Sequence, residues 1–159
     1  MVKITVISVG SVKEGYLCDA ISEYEKRLRA FATVENVNIK EERITDEEDG
    51  TKIAAALEAE GDKILSKIPD GSYKIAMCVE GVSPDSLRLS DYIREAADRC
   101  GKITLIIGSS HGLSDRVKGA CDLRLSVSRL TFPHQLMRVI LLETLYRSFT
   151  VIAGKRYHK

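Results

Sequence analysis

No stretch of these 159 residues is apolar for long enough to span a bilayer. The greasiest run, from 136 to 149, is interrupted by Arg138, Glu143 and Arg147. An N-terminal signal pattern is missing as well, so the cytoplasm is the expected compartment and no membrane partner is expected. Cysteine is sparse: Cys18, Cys78, Cys100 and Cys121 are scattered, without a C-x-x-C pair. That argues against a disulfide framework or a zinc site, leaving reduced packing thiols and no metal. Only three prolines and a charged fraction of 30% describe an ordinary globule, and the length suits one domain over 1–159. The glycine-bearing loops spell neither GxxxxGK[ST] nor GxGxxG, and no serine or cysteine joins a histidine and an acid at a recognisable elbow. Phosphate-cradle and acyl-transfer chemistry are therefore set aside.

Charge of one sign is also lacking overall. A net of +1 argues against a dedicated nucleic-acid binder, DNA included. The balance is uneven, however. Residues 123–159 hold seven Lys/Arg and one acid, Glu143, a net of +6, which leaves −5 for residues 1–122. A basic final quarter on an acidic body is compatible with a local phosphate-binding face.

What is present alternates between two periods. KITVISV, KIAMCVEG and KITLIIG are buried-strand runs, VENVNIK alternates like an edge strand, and LRLSV is a short last strand. Between them, helical spacing runs through YLCDAISEYEKRLRAF, through Thr51–Lys67, through Ser86–Cys100 up to Gly101, and briefly from Ser114 to Ala120. The six acids between Glu41 and Asp49 read as a solvated loop. Strands alternating with helices predict an α/β fold, a single-domain, mostly parallel sheet flanked by helices. Ligands bind such sheets outside the carboxyl ends of the strands. Three ends carry loop chemistry: Met77–Gly81, Gly108–Gly112 and Val127–Phe132.

The organising stretch is SVSRLTFPHQLMRVILLETLYR, from Ser126 to Arg147, a polar loop running into the most apolar helix. Pro133 suits a first helical position and Thr131 a cap. The helix is apolar around most of its circumference, which predicts a core or an interface between copies. Its amino end offers backbone N–H groups to a ligand. Lined by amides, small residues and apolar side chains, with cations beyond, the expected pocket fits an uncharged or zwitterionic ligand better than a triphosphate.

IIGSSHGLS at 106–114, LSVSRLTFPHQLMRVILLETLYRSF at 125–149, the terminal YHK and the early EYEKR at 23–27 together resemble the large-subunit ribosomal RNA methyltransferase H family of the SPOUT superfamily. The resemblance covers essentially the whole chain. It implies a C-terminal trefoil knot over about 103–150, a homodimer, and S-adenosylmethionine-dependent methylation of N3 of a pseudouridine in 23S rRNA, free or within the subunit or ribosome. The family's cofactor contacts fall on Met77, Gly108, Val127, Ser128, Arg129, Leu130, Thr131 and Phe132. Met77 stands where the family often has leucine. Ser109 stands where many members have glycine, and its side chain is expected to narrow the pocket.

The acceptor is an imide N–H that must lose its proton. His158 is the first candidate for that proton, with His134 its competitor. Tyr157 would stack on the extruded base and Arg138 would counter the developing charge. Plainer roles stand beside these: His134 bonding backbone at a helix start, His158 in a frayed tail, Arg138 in an ion pair, and His111 facing solvent. Two rival functions are a non-catalytic ribosome-binding or assembly factor of the same fold and a small-molecule enzyme using the same pocket.

Overall fold

The computed structural model describes residues 1–156. Five strands, β1 (Val2–Val9), β2 (Ala32–Ile39), β3 (Tyr73–Val82), β4 (Lys102–Ile107) and β5 (Leu123–Leu125), form one sheet in the order β2-β1-β4-β3-β5. Every pairing is parallel. The central runs of β1 and β4 are buried on both faces, which is why they read as continuous apolar stretches, whereas β2 alternates as an edge strand does.

Helices α1 (Gly15–Leu28), α3 (Ser86–Cys100) and α5 (His134–Ile152) share one core, with Ile4, Leu105, Ile93, Leu141, Leu145 and Phe149 among its buried members. Helices α2 (Gly50–Lys67) and α4 (Asp115–Gly119) bury Ile64 and Val117 in a second core with Ile7, Ile106 and Leu113. Such a sheet, covered on both faces, leaves its strand ends as the place where loops gather.

Local chemistry sets most boundaries. Asp49 accepts from the amides of Thr51 and Lys52 to start α2, Asp85 caps α3, and Ser114 caps α4. Gly101, at φ 65°, closes α3 in the left-handed conformation that a side chain would strain. Helix α5 differs from the expected start. Pro133 itself stands at the cap, and Thr131 supplies no capping bond, because no side chain caps this end. The last strand is shorter than the alternation predicted, closing at Leu125. Cys18 is exposed rather than packed, and all four cysteines are free.

Candidate functional site

Strand β3 opens the site. Leu125 of β5 pairs with both Met77 and Val82, so the intervening residues bulge out of the sheet, and Cys78, Val79 and Glu80 join the wall of a cavity. Gly81 anchors the bulge: a Cβ there would stand 2.6 Å from the carbonyl carbon of Arg124, so only glycine allows the two strands this close. The amide of Ser126 then donates to Val82 O at 2.8 Å and turns the chain back over the strand ends.

The second wall follows β4. Gly108 packs against the backbone of its own loop, and a Cβ there would meet Gly112 O at 2.3 Å. Gly112, at φ 84°, donates its N–H to Ser109 O at 2.9 Å and closes the turn. The third wall is the loop before α5. Hydroxyls hold its shape: Ser126 Oγ donates to Ser128 O at 2.7 Å, and Leu130 N donates to Ser128 Oγ at 3.0 Å. His134 and Met137, on the first turn of α5, complete the lining.

Together these walls enclose about 350 Å³, within the range of small-molecule sites. Met77, Leu125, Val127, Leu130 and Met137 supply an apolar wall; Ser128, Thr131 and the uncapped end of α5 supply polar groups. This apolar wall and this donor set fit a flat heterocycle with a polar, zwitterionic tail. Charges near the mouth are already matched, since Glu80 pairs with Lys118, whose hydrogen bond holds the carboxyl below its ordinary range. Burial pushes the Cys78 thiol up, so it lines the wall as a neutral group. Among the described residues no group of three or more His, Cys, Asp or Glu side chains is arranged to hold a metal ion.

Of the residues expected to hold a ligand, Met77, Gly108, Val127, Ser128, Leu130, Thr131 and Phe132 all line this one cavity, and Arg129 does not. His134 lines it too. His111, expected to face solvent, is only half-exposed and belongs to the same wall. Arg138 is not brought to the cavity. It is 7% exposed, and its guanidinium donates to Asn38 Oδ1 at 2.9 Å and Asn36 Oδ1 at 3.5 Å on β2. Burial lowers its pKa, and its partners are neutral amides, so within one chain it ties α5 to the sheet edge instead of meeting charge in the pocket. Tyr157 and His158 lie outside the described residues.

One residue beside the site was missed. Glu60 of α2 is 2% exposed, and the Ser109 hydroxyl of the Gly108–Gly112 loop is near enough to bear on its carboxyl. The signal was available: Glu60 interrupts the buried stripe Ala56, Glu60, Ile64 at four-residue spacing. Ser109, itself 8% exposed, lines the cavity as well, and its hydroxyl bears on the Glu60 carboxyl.

A family model described as "Predicted SPOUT methyltransferase" matches residues 2–158. The chain is 46% identical to "Ribosomal RNA large subunit methyltransferase H" of Caldicellulosiruptor bescii, over 98% of this chain and 99% of that protein. It is 42% identical to the protein of the same name from Streptococcus pneumoniae, over 99% of each. Among solved structures, the "Probable Methyltransferase from Bordetella pertussis Tohama I" superposes with a TM-score of 0.59 at 12% identity, covering 91% of this chain and 93% of that one. At that identity the likeness is one of fold.

Proposed function

The chain belongs to the SPOUT methyltransferase family, as an S-adenosylmethionine-dependent methyltransferase of large-subunit ribosomal RNA, and from that premise we propose that it methylates N3 of a pseudouridine in 23S rRNA. The observation that carries the reading is the convergence of three strand-end turns on one cavity of about 350 Å³ whose lining suits that cofactor. When bound there, S-adenosylmethionine supplies an electrophilic methyl group on a sulfonium.

The residues of the chain do the rest. Gly108 lets the cavity-lining turn close tightly on Gly112, and Met77, Val127, Leu130 and Met137 offer the apolar wall for a base. Ser128 and Thr131 offer hydroxyls to a polar tail. Fixing the methyl carbon in line with the acceptor nitrogen supplies much of the rate. The imide proton at N3 must leave as the new bond forms, and a histidine is the residue to take it. We assign that role to His158, with Tyr157 stacking on the extruded base. His134, already in the wall, is the competing base. Arg138, expected to counter the developing charge, is bonded within one chain to Asn38 and Asn36 and holds α5 to β2.

We further infer a homodimer, because Leu136, Val139 and Ile140 of α5 remain only half-buried in one chain. We also place the trefoil knot at about 103–150, the stretch in which the Gly108–Gly112 turn and the 126–133 loop both cross the strand ends. The cytoplasm, where 23S rRNA resides, is the proposed compartment; among the described residues no helix is long and apolar enough to cross a membrane.

The test is mass mapping of 23S rRNA from a deletion strain, before and after supplying the wild-type gene or a His158→Ala variant. Wild type restores one methyl on one pseudouridine, and the variant restores it at least about a hundredfold more slowly. An unmodified pseudouridine after wild-type rescue contradicts the substrate assignment. Full-rate rescue by the variant moves the proton to His134.

A further inference from the structure

Glu60 is a carboxylic acid sealed into the protein beside a cofactor loop that it does not enter. Its Oε1 accepts from the amide of Glu42 at 3.0 Å, at the exit of β2. Its Oε2 is buried with no hydrogen-bond partner, and the Ser109 hydroxyl is near enough to bear on the carboxyl's ionisation. An unpaired carboxylate oxygen is costly to bury, so a merely inert acid would not be expected in this place. Its neighbour Gly61 shows how tightly α2 is pressed here, since a Cβ on it would stand 3.1 Å from Ser114 Oγ and 3.2 Å from Val117 Cγ2. Farther out, α2 and α4 are joined by exposed ion pairs of Arg116 with Glu58 and Asp62, which contribute little rigidity in water.

We propose that Glu60 is a positioning residue: through the proximity of its carboxyl to Ser109 and its bond to the Glu42 amide, it sets the Gly108–Gly112 turn against α2 and thereby fixes the cofactor-facing wall. The carboxyl touches neither cofactor nor substrate. Burial, opposed in part by the Glu42 amide and the Ser109 hydroxyl, raises its pKa, and the nearby Glu41 and Glu42 charges push the same way as burial, so the protonated form persists to higher pH than in a free carboxyl. In that form it carries one O–H to share with Ser109 and keeps an acceptor for Glu42. Glutamine reproduces both functions at the same size, and methionine fills the volume with neither.

The inference rests on the S-adenosylmethionine reading, and the experiment separates the two. Calorimetric titration of the full chain with S-adenosylmethionine is run on wild type, E60M, E60Q, S109A and E60M/S109A, with a thermal melt of each. E60M is expected to stay folded, melting within a few degrees of wild type, and yet to bind about tenfold more weakly. E60Q recovers affinity to within about threefold of wild type. S109A weakens binding about fivefold, and the double variant is no weaker than E60M alone. In turnover, E60M raises the cofactor KM and leaves kcat within about twofold. Wild-type affinity in E60M, multiplied losses in the double variant, or a fall in kcat at unchanged KM overturns the proposal. No heat with wild type overturns the cofactor reading instead.

Discussion

Helices α3 and α5 pack against each other on one face of the sheet, but they are finished differently. Helix α3 is capped at both ends, by Asp85 donating no proton but accepting from Arg88 N at 2.8 Å, and by Gly101. It buries one stripe, Leu89, Ser90, Ile93 and Ala96, and carries Arg88, Asp91 and Arg94 on an exposed outer face. Helix α5 has no side-chain cap, buries Arg138 among its leucines, and leaves Leu136, Val139 and Ile140 half-covered. A helix that only supports a fold needs one apolar side and closed ends. One that also faces a ligand and another molecule keeps an open end and a second apolar side.

The contrast is broken most severely at the pocket. Gly108→Ala would drive a Cβ into Gly112 O, and its affinity for S-adenosylmethionine should fall at least about a hundredfold, roughly 2.7 kcal/mol, by calorimetry. Gly101→Ala at the end of α3 should cost only about 1 kcal/mol of stability and leave that affinity alone. Equal effects on binding would erase the distinction between the two ends.

At the amino ends, His134→Ala, which removes a ring from the cavity wall, should weaken S-adenosylmethionine binding about threefold to tenfold by calorimetry, with melting little changed. Asp85→Ala should do the reverse, losing about 1 kcal/mol of stability at unchanged affinity, as read by denaturant titration and calorimetry.

Along the outer faces, sedimentation of wild type should give about twice the 17.6 kDa of one chain. Ile140→Glu should bring that mass down to one chain, whereas Arg94→Glu on α3 should leave it unaltered. A wild-type monomer contradicts the reading of α5.

The smallest effect concerns the loop beside α5. In the folded chain Glu60 keeps its proton above the ordinary value of 4.5, so the native state holds more protons than the unfolded one in the window above it. Stability therefore falls as pH rises through that window. Measured against E60Q, which does not titrate, wild type should lose about 2–4 °C of melting temperature between pH 4.5 and pH 8. A difference independent of pH means that Glu60 ionises as it does in water.

Helix α3 is legible from sequence because everything that defines it lies within it: the cap, the stripe and the closing glycine are all local. The three pocket turns are legible for a related reason, since each follows an apolar run that ends in small or polar residues. The partners of Arg138, Asn36 and Asn38, lie about a hundred residues away in the chain, and no local pattern points to them. The bulge at Cys78–Gly81 depends on how β5 pairs, and three residues of LRL carry no sign of it. Thr131 was read as a cap from its type alone, whereas the first turn of α5 opens onto a cavity that only the fold creates. The knot has no local signature at all and entered through resemblance.

The most direct test of the cavity assignment is an amide NMR titration of the isotopically labelled chain with S-adenosylmethionine. Saturable shifts confined to residues 77–82, 108–113 and 126–137, with α3 silent from 90 to 100, are the predicted result. Shifts in only one of those turns, or centred on α3, would contradict a single cofactor cleft at the three strand ends.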